Sequence, residues 1–321
     1  MKMMTKIYNL DNCKLSNLSY GGNAGLKLGI IFENEYYMLK FPKNTFGLRN
    51  IKISYTTSPL SEFIGSQIYR SIGVPVHDTK LGVYNNKLVV ICKDIEFEKL
   101  EQKARLNVFS NIKNLYHVNA MESYSNSGDV SLKEILIDIK NNHLVKQVGV
   151  DKVLEHFWTM FIIDTLLYNN DRNNGNWGLL VNGDVRLAPV FDNGNSFNNK
   201  FSDKEMLNRI DKLDELQCKK IASVFKDENG DLIIPYEFFK TQDIPELNKA
   251  IKKIVPMIDI NKIYSIIDEL PNEYNELKVT SDIAKEFMKK GIESRYKLIL
   301  QPALEREKDK NKRHNYSYDE R

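Results

Sequence analysis

Among the many Asn and Asp side chains of one segment of the sequence, three are candidates to bind magnesium. They are Asp171, Asn176 and Asp192, within YNNDRNNGNWGLLVNGDVRLAPVFDNGNSF at 168–197. Mg²⁺ prefers carboxylate and carbonyl oxygens, commonly together with the oxygens of a bound phosphate. These residues can act together only if the chain folds back between Asn176 and Asp192.

A hairpin is predicted at this point. WGLLVNGDVRLAPVF contains two apolar strands joined by Asn-Gly at 182–183, the strongest short signal for a two-residue hairpin turn. With such a turn Val181 pairs with Asp184, and the second strand returns the chain toward the start of the first. We therefore expect Asn176 and Asp192 to lie at the same end of the hairpin.

The spacing of Asp171 and Asn176, D-x-x-x-x-N, is typical of a kinase catalytic loop. In such a loop the Asp orients the attacking hydroxyl and accepts its proton, while the Asn and a later Asp hold Mg²⁺ against phosphate oxygens. The spacing alone occurs often by chance, and an Asn-rich loop is usually only a cluster of turns. The interpretation therefore depends on what precedes the loop.

A glycine cluster and a strand lysine come first. SYGGNAGLKLG has four glycines at 21–29, a composition that lets backbone N–H groups approach phosphate. Two strands are predicted at 27–32 and 36–41, and the period of two residues places Lys40 among the apolar side chains of the second strand. A lysine at such a position can reach the phosphates of a nucleotide.

Helices and a second hairpin follow in the order that a kinase requires. A helix is predicted from Ser58, as N-cap, to the stop signal at Gly73, and Glu62 on it is the candidate to steady Lys40. A hairpin with its turn at 85–86 comes next. The apolar helix at 151–169 then ends directly before the Asn-rich loop.

The bulk composition argues against several other classes of protein. The net charge is only +3, from 46 basic and 43 acidic residues, so neither nucleic acid nor a membrane surface is indicated as a partner. Cys13, Cys92 and Cys218 are three widely separated cysteines, which form neither a disulfide framework nor a set of zinc ligands. No apolar segment is long enough to be the core of a signal peptide or to span a membrane. We therefore expect a cytoplasmic protein without integral membrane contact.

The predicted elements form an α+β fold with two lobes, like that of protein kinases. Residues 1–95 form a small β-rich lobe with the glycine-rich loop, and residues 96–305 form a larger, mostly helical lobe. Residues 306–321 are charged and nearly free of apolar side chains, which predicts a flexible tail. ATP is expected between the lobes, with adenine near the strand end where the backbones of Ile91 and Lys93 can pair with it.

At these residues the sequence resembles the HipA-like serine/threonine kinases of bacteria. YYMLKFP resembles the family's nucleotide-binding strand, NNDRNNGNWGLL its catalytic loop and APVFDNG its metal-binding segment. The resemblance extends over most of the chain. It places the nucleotide-binding lysine on Lys40, the catalytic base on Asp171, and the two metal ligands on Asn176 and Asp192.

The resemblance also assigns SYGGNAGLK as the phosphate loop. The nucleotide-binding residues of that loop are then Gly21, Gly22, Asn23, Ala24, Gly25 and Lys27. Ser19 stands where HipA-type kinases phosphorylate themselves, and a phosphate there would add up to two negative charges beside the nucleotide. The alternative is that Ser19 only begins a turn.

The family implies ATP and Mg²⁺ as cofactors and a protein as substrate, including the enzyme itself. The family usually has His two positions after the catalytic Asp, whereas this chain has Asn173, so we expect retained but altered activity. The chain begins close to the phosphate loop, without the N-terminal subdomain of the longer HipA toxins, so we expect no nucleic-acid partner. Secretion without a signal peptide is suggested by the resemblance alone.

Three alternatives stay open from the sequence. A kinase fold that binds nucleotide without transferring phosphate is favoured only by Asn173. A lipid kinase would need a basic docking patch, and the basic stretches KKGIESRYK and EREKDKNKR are both mixed with acids. A toxin or effector whose partner surface matters more than turnover has no short signature by which the sequence would show it.

Overall fold

The structure is a computed structural model that describes residues 4–20, 26–99, 102–109, 131–214 and 218–319. Five residues of the predicted phosphate loop, Gly21, Gly22, Asn23, Ala24 and Gly25, lie outside the described residues. The other residues that the sequence singles out lie within the described ranges.

A six-stranded sheet forms the small lobe. Its strands are β1 (Ile7–Asn9), β2 (Lys14–Leu15), β3 (Lys27–Phe32), β4 (Glu35–Lys40), β5 (Thr79–Tyr84) and β6 (Lys87–Lys93). Their order is β1-β5-β6-β4-β3-β2, with β1 parallel to β5 and the other neighbours antiparallel. The hairpin turn at Asn85 and Asn86 is confirmed, and both residues have the positive φ that a tight turn of this kind needs.

Helix α1 (Ser58–Ser71) covers one face of this sheet. Ile64 and Ile68 of the helix share a buried cluster with Leu81 and Val90 of the sheet, whereas Ile91 belongs to a separate cluster on the other face. The helix begins with Thr57 rather than Ser58 at the N-cap, and Pro59 lies in its first turn. The alternation of side chains along β6 therefore builds two cores.

The larger lobe is mainly helical. Its helices are α2 (Leu132–Asn141), α3 (His143–Val148), α4 (Val150–Leu167), α5 (Asp203–Arg209), α6 (Pro235–Thr241), α7 (Pro245–Ile254), α8 (Ile260–Asp268), α9 (Asp282–Arg295) and α10 (Gln301–Asp319). Short strands accompany them, namely β7 (Phe97–Lys99), β8 (Gln102–Lys103), β9 (Arg105–Val108), β10 (Gly178–Asn182), β11 (Asp184–Leu187), β12 (Glu273–Tyr274) and β13 (Leu277–Lys278).

Helix α4 is the centre of the large lobe. Its last eleven residues are all buried, and Phe157 packs against Trp158, Trp177 and Phe225 with ring centroids 5.1–5.6 Å apart. Such aromatic contacts add to the free energy of burial and fix the position of the helix. Because the catalytic loop follows α4 directly, a rigid helix here sets the starting point of that loop.

The hairpin of β10 and β11 differs from the predicted register. Val181 pairs with Val185, not with Asp184, and Asn182 pairs with Asp184 across Gly183, whose φ is +77°. The expected pairing of Val181 with Asp184 was therefore wrong by one residue. Glycine accommodates the tighter turn because it has no Cβ to oppose a positive φ. The ribbon still returns the chain to its starting end.

The C-terminal segment also differs from the predicted flexible tail at 306–321, because the backbone is helical to Asp319. The Arg306 guanidinium donates hydrogen bonds to the backbone carbonyls of Phe239 and Lys240, each at 2.6 Å. Glu307 is buried and pairs with Lys310 at 3.0 Å. Charged side chains thus hold the start of this segment on the body of the protein.

The two-lobed α+β architecture is the one that the sequence predicts, and its division at residue 95 stays a prediction. None of the helices in the described ranges is both long enough and apolar enough to cross a lipid bilayer.

Candidate active site

Lys40 stands at the end of β4 and is held by two carboxylates. Its Nζ lies 2.6 Å from Glu62 Oε2 and 2.8 Å from Asp192 Oδ1. Burial lowers the pKa of Lys40, but the charges of Asp192 and Glu62 outweigh burial and hold the pKa well above its usual range. Lys40 is therefore a fixed positive charge, which suits the binding of phosphate.

Glu62, on α1, is fully buried and joins the lysine to two further groups. Its Oε1 accepts hydrogen bonds from His77 Nε2 at 3.0 Å and from the backbone N–H of Asn193 at 2.8 Å. Burial raises the pKa of Glu62, but the charge of Lys40 and the His77 contact outweigh it, so the pKa lies well below its usual range. Glu62 thus ties α1 to the segment that carries Asp192.

The Asp192 segment is pressed against α1. Asn193 donates from Nδ2 to Ser66 Oγ at 3.1 Å, and a Cβ at Gly65 would lie only 2.8 Å from Asn193 Cβ. Glycine at position 65 therefore permits the close approach. Asp192 itself has a φ of 60°, a left-handed conformation that costs about 1–2 kcal/mol for a residue with a side chain. The contacts around it hold its carboxylate beside Lys40.

The catalytic-loop candidates are linked to one another by short hydrogen bonds. Asn173 Nδ2 donates to Asp171 Oδ1 at 3.0 Å, and Asn176 Nδ2 donates to the Asp171 carbonyl at 2.6 Å. The backbone N–H of Gly175 donates to Asn173 Oδ1 at 2.9 Å. Asn173, which stands where the resemblance would place His, therefore contacts both the Asp171 carboxylate and the backbone of the loop. The amide oxygen of Asn176 is left to accept or to coordinate.

Asp171 has an altered acidity. Partial burial raises its pKa, the hydrogen bond from Asn173 lowers it, and the nearby charge of Asp192 raises it, with a net shift upward. A raised pKa makes the carboxylate a stronger base than an ordinary aspartate. Such a shift is typical of a group that removes a proton during catalysis.

A buried ion pair under the loop sets its shape. Arg172 Nε lies 2.8 Å from Asp164 Oδ2, and less than 10% of either residue is exposed. The same guanidinium donates to the carbonyls of Asn176, at 2.9 Å, and of Phe191, and to Asn193 Oδ1 at 2.6 Å. The side chain of Arg172 therefore links helix α4, the loop after it and the Asp192 segment.

These groups surround a cavity of about 600 Å³, here called the central cavity. Six of the residues predicted from the sequence line it, namely Lys27, Lys40, Lys93, Asp171, Asn176 and Asp192. Tyr20 also lines the cavity and donates a hydrogen bond to Asp94 Oδ2 at 2.6 Å, which joins the segment before the predicted phosphate loop to the end of β6. Burial, followed by the charge of Lys40, lowers the pKa of Lys27.

Three predicted residues take other positions. Ile91 is fully buried in β6 between β4 and β5 and is not among the residues that line the central cavity. Glu62 lies behind Lys40 rather than in the lining. Ser19 is exposed and precedes Tyr20 directly. The structure therefore brings together the lysine, the base and both metal candidates, but not Ile91.

A smaller cavity of about 250 Å³ adjoins the central one and is here called the side cavity. Both are lined by Lys40, Lys43, Asp171 and Asp192, and the side cavity also has Lys200. The charge of Lys200 lowers the pKa of Asp171 and so opposes the rise caused by burial. Asp171 thus faces two spaces, an arrangement that suits transfer between two bound molecules.

The oxygen ligands suit magnesium better than the other possible metal group does. Asn176 and Asp192 offer an amide and a carboxylate oxygen in the central cavity, as Mg²⁺ prefers. Glu62, His77 and Cys92 also lie within 4.8 Å of one another. Lys40 already neutralises Glu62, however, and that mixed nitrogen, sulfur and oxygen set does not suit a hard cation.

Several residues of the site were missed from the sequence, namely Asp164 in its ion-pairing role, Arg172, His77 and Lys200. An arginine directly after the catalytic Asp, together with a lone acid in an apolar helix, is a signal that could have indicated the Asp164–Arg172 pair. His77 and Lys200 have no comparable signal, because neither lies in a motif with fixed spacing.

Comparisons with known proteins identify a family and relatives of this chain. A family model described as the HipA-like C-terminal domain matches residues 19–250. The serine/threonine-protein kinase CtkA of Helicobacter pylori strain J99 is 35% identical over 291 residues, which are 88% of this chain and 83% of CtkA.

Solved structures confirm the predicted two-lobed fold. The crystal structure of the Helicobacter pylori proinflammatory kinase CtkA matches with a TM-score of 0.80 and 31% identity, over 94% of this chain and 99% of CtkA. The HipA–HipB–operator DNA complex of Shewanella oneidensis MR-1 matches with a TM-score of 0.57 and 10% identity, over 92% of this chain and 68% of that one, which shows a shared fold alone. The chain belongs to the family of the HipA-like C-terminal domain.

Proposed function

We propose that the protein is an ATP- and Mg²⁺-dependent protein serine/threonine kinase that also phosphorylates itself. The observation that supports this most is the convergence of Lys40, Asp171, Asn176 and Asp192 on one cavity, with Glu62 behind the lysine. The relative CtkA is named a serine/threonine kinase. Its name supports phosphoryl transfer to a protein hydroxyl.

Each residue has a defined task in this proposal. Lys40 binds phosphate oxygens of the nucleotide. Glu62 keeps Lys40 oriented when Asp192 binds the metal ion instead of Lys40. Asn176 and Asp192 would hold Mg²⁺, which supplies positive charge to the phosphate oxygens when bound. Asp171 orients the acceptor hydroxyl and takes its proton. We place the adenine near Lys93, because Ile91 does not reach the cavity.

Ser19 is the proposed site of self-phosphorylation. It is exposed, and its neighbour Tyr20 lines the central cavity and bonds to Asp94. A phosphate on Ser19 would place negative charge beside the nucleotide phosphates and repel them. Self-phosphorylation at this residue would therefore lower the affinity for ATP.

Intact mass after incubation with Mg²⁺-ATP tests the proposal. The wild-type protein is expected to gain phosphate and Asp171→Asn is not, and peptide mapping is expected to find Ser19 among the sites. A melting temperature that rises with ATP, with no phosphate on the protein or on a protein mixture, would support a nucleotide-binding module instead. No gain in mass and no rise in melting temperature would refute the kinase proposal.

Lys200 is expected to stabilise the negative charge that develops during transfer. It lines the side cavity with Asp171 and Asp192 and has no carboxylate partner among the described residues. Lys200→Met should lower kcat roughly tenfold or more, with little change in the KM for ATP, because such charge stabilisation acts mainly in the transition state. Steady-state kinetics test this. The exposed Lys220→Met is the control, and an unchanged kcat in Lys200→Met would contradict the role.

The pH dependence of kcat/KM should report the acidity of Asp171. Its carboxyl must be ionised to accept a proton, so activity falls as the pH drops through its raised pKa. In Asn173→Ala the hydrogen bond that stabilises the ionised form is lost, so the pKa rises further and the acid limb moves to higher pH. Rate profiles of the two proteins test the shift. If the acid limb of the Asn173→Ala profile stayed in place or moved to lower pH, the hydrogen bond from Asn173 would not set the acidity of Asp171.

A further inference from the structure

A third cavity, of about 700 Å³, lies apart from the central one and is here called the apolar cavity. Apolar side chains form most of its lining, among them Leu60, Phe197, Phe201, Met206 and Met288. Its volume is within the range of pockets that enclose drug-sized ligands, so it exceeds what one small side chain fills. It shares no lining residue with the central cavity and is therefore not the nucleotide site.

The apolar cavity adjoins the side cavity, which is lined by Asp171. Thr56 and Pro59 line both the apolar cavity and the side cavity, which contains Asp171. This shared wall is well fixed, because the Thr56 N–H donates to the Lys43 carbonyl at 2.9 Å and the Thr56 hydroxyl contacts Ser58 Oγ at 2.9 Å. A substrate chain with its hydroxyl at Asp171 would therefore have to pass this wall to reach the apolar cavity.

The charges that line the side cavity and the apolar cavity are mostly positive. Lys43 and Lys200 line the side cavity, and Lys87 and Lys204 line the apolar cavity. None of these four lysines has a carboxylate partner within the described part of the chain, and Lys87 lies over the ring of Tyr55, 4.8 Å from its centroid. Unpaired positive charge along a groove is complementary to an acidic segment.

The loop between β4 and α1 adds exposed apolar surface. It is closed by the backbone bridge between Asn44 and Tyr55, and it provides Tyr55 to the apolar cavity. Phe46 is 95% exposed, and Leu48 and Tyr55 are each 42% exposed. Large apolar side chains gathered on one loop beside a cavity mark a surface that binds a partner.

We propose that the apolar cavity is where this kinase docks its protein substrate, a segment with bulky apolar side chains and acidic residues near the phosphorylated Ser or Thr. The proposal rests on the proposed function. The acceptor hydroxyl lies at Asp171 in the side cavity, the apolar side chains enter the apolar cavity past Thr56 and Pro59, and the acidic residues face the four lysines.

A positional-scanning library of Ser/Thr peptides with Mg²⁺-ATP tests this. The wild-type protein is expected to select bulky apolar residues at one or two fixed positions, about tenfold over the average residue, and to favour Asp or Glu nearby. Tyr55→Asp places a charge at the rim, and Ala284→Trp fills the cavity from α9. Both should abolish the apolar selection and raise the KM for the best peptide about tenfold, with self-phosphorylation unchanged. Leu232→Asp, a comparably exposed apolar residue outside this cavity, is the matched control and should retain the selection.

Other outcomes would overturn the proposal in distinguishable ways. Self-phosphorylation without any apolar selection, or selection that survives both Tyr55→Asp and Ala284→Trp, would refute docking but not kinase activity. A wild-type dimer in sedimentation that Tyr55→Asp dissociates would make a second copy of the chain the occupant. Binding to phosphatidylserine vesicles that Tyr55→Asp abolishes would make a lipid surface the occupant. Absence of all phosphoryl transfer would refute the proposed function, and docking with it.

Discussion

Replacement of Asp171 by Asn is expected to slow phosphoryl transfer roughly 10²–10⁴-fold while ATP binding is kept. Asp171 lines both the central and the side cavity, so its carboxylate faces the space proposed for the nucleotide and the space proposed for the acceptor. Asn has nearly the same shape but does not accept the proton of the acceptor hydroxyl. This variant leaves unchanged the ion pairs of Lys40 with Glu62 and Asp192, where we propose that the nucleotide phosphates bind.

The same substitution should leave the melting temperature unchanged or raise it. Partial burial makes the folded-state pKa of Asp171 higher than the unfolded-state pKa. Folding therefore disfavours the ionised form, so the destabilisation is fully present above the folded-state pKa and disappears as the pH falls below the unfolded-state pKa. At neutral pH the neutral Asn removes this destabilisation. A loss of rate in Asp171→Asn is thus separable from a loss of fold.

Phosphate incorporation, ATP affinity by calorimetry and the melting temperature together test this prediction. The exposed Asp211→Asn is the control and should behave as the wild type does. If Asp171→Asn kept its rate, another group would have to be the base. If it lost ATP affinity together with the rate, Asp171 would contribute to binding the nucleotide rather than to the transfer.

The order of the candidate site residues along the chain could be predicted because each of them lies in a local sequence pattern. The strand lysine, the Asp-x₄-Asn spacing and the Asn-Gly turn depend on residues that are close in sequence, and the structure brings Lys40, Asp171, Asn176 and Asp192 to one cavity. Strand periods and helix stops likewise predicted the hairpins and α1. The two-lobed fold follows from the order of these elements, and the match to CtkA confirms it.

Register and long-range contacts were not readable in the same way. The turn at Gly183 is tighter than the two-residue turn that Asn-Gly favours, so every pair of that hairpin is shifted by one residue. Ile91 and Val90 alternate along β6, and only the packing of α1 decides which face meets which core. The contacts of Arg172 with Phe191 and Asn193 depend on a return of the chain that no local pattern specifies.

The apolar cavity illustrates the same limit. Its lining comes from the β4–α1 loop, from the segment after Asp192 and from α9, which are far apart in sequence. Taken one at a time, Leu60, Phe201 and Met288 are ordinary core residues. Only the tertiary arrangement leaves a space between them and places that space beside the side cavity, with which it shares Thr56.

Replacement of Arg172 by Met should cause a large loss of stability. Asp164 would keep a buried carboxylate without its ion pair, and removing one partner of a buried pair costs roughly 3–5 kcal/mol. For a protein of this size the melting temperature should fall by roughly 5–15 °C. Thermal unfolding measures the change, with the exposed Arg49→Met as the control.

The double variant Asp164→Leu with Arg172→Met separates stability from positioning. An apolar pair in place of a buried ion pair is often neutral, so the double variant should regain the part of the lost melting temperature that comes from the unpaired carboxylate. It should not regain all of it, because Tyr69 and Asn169 lose the acceptor of their hydrogen bonds. It should not regain activity, because the carbonyls of Asn176 and Phe191 still lack the guanidinium that holds them. If the double variant recovered both, Arg172 would serve only to neutralise Asp164. If Arg172→Met had the melting temperature of the wild type, the Asp164–Arg172 pair would not stabilise the fold as its contacts indicate.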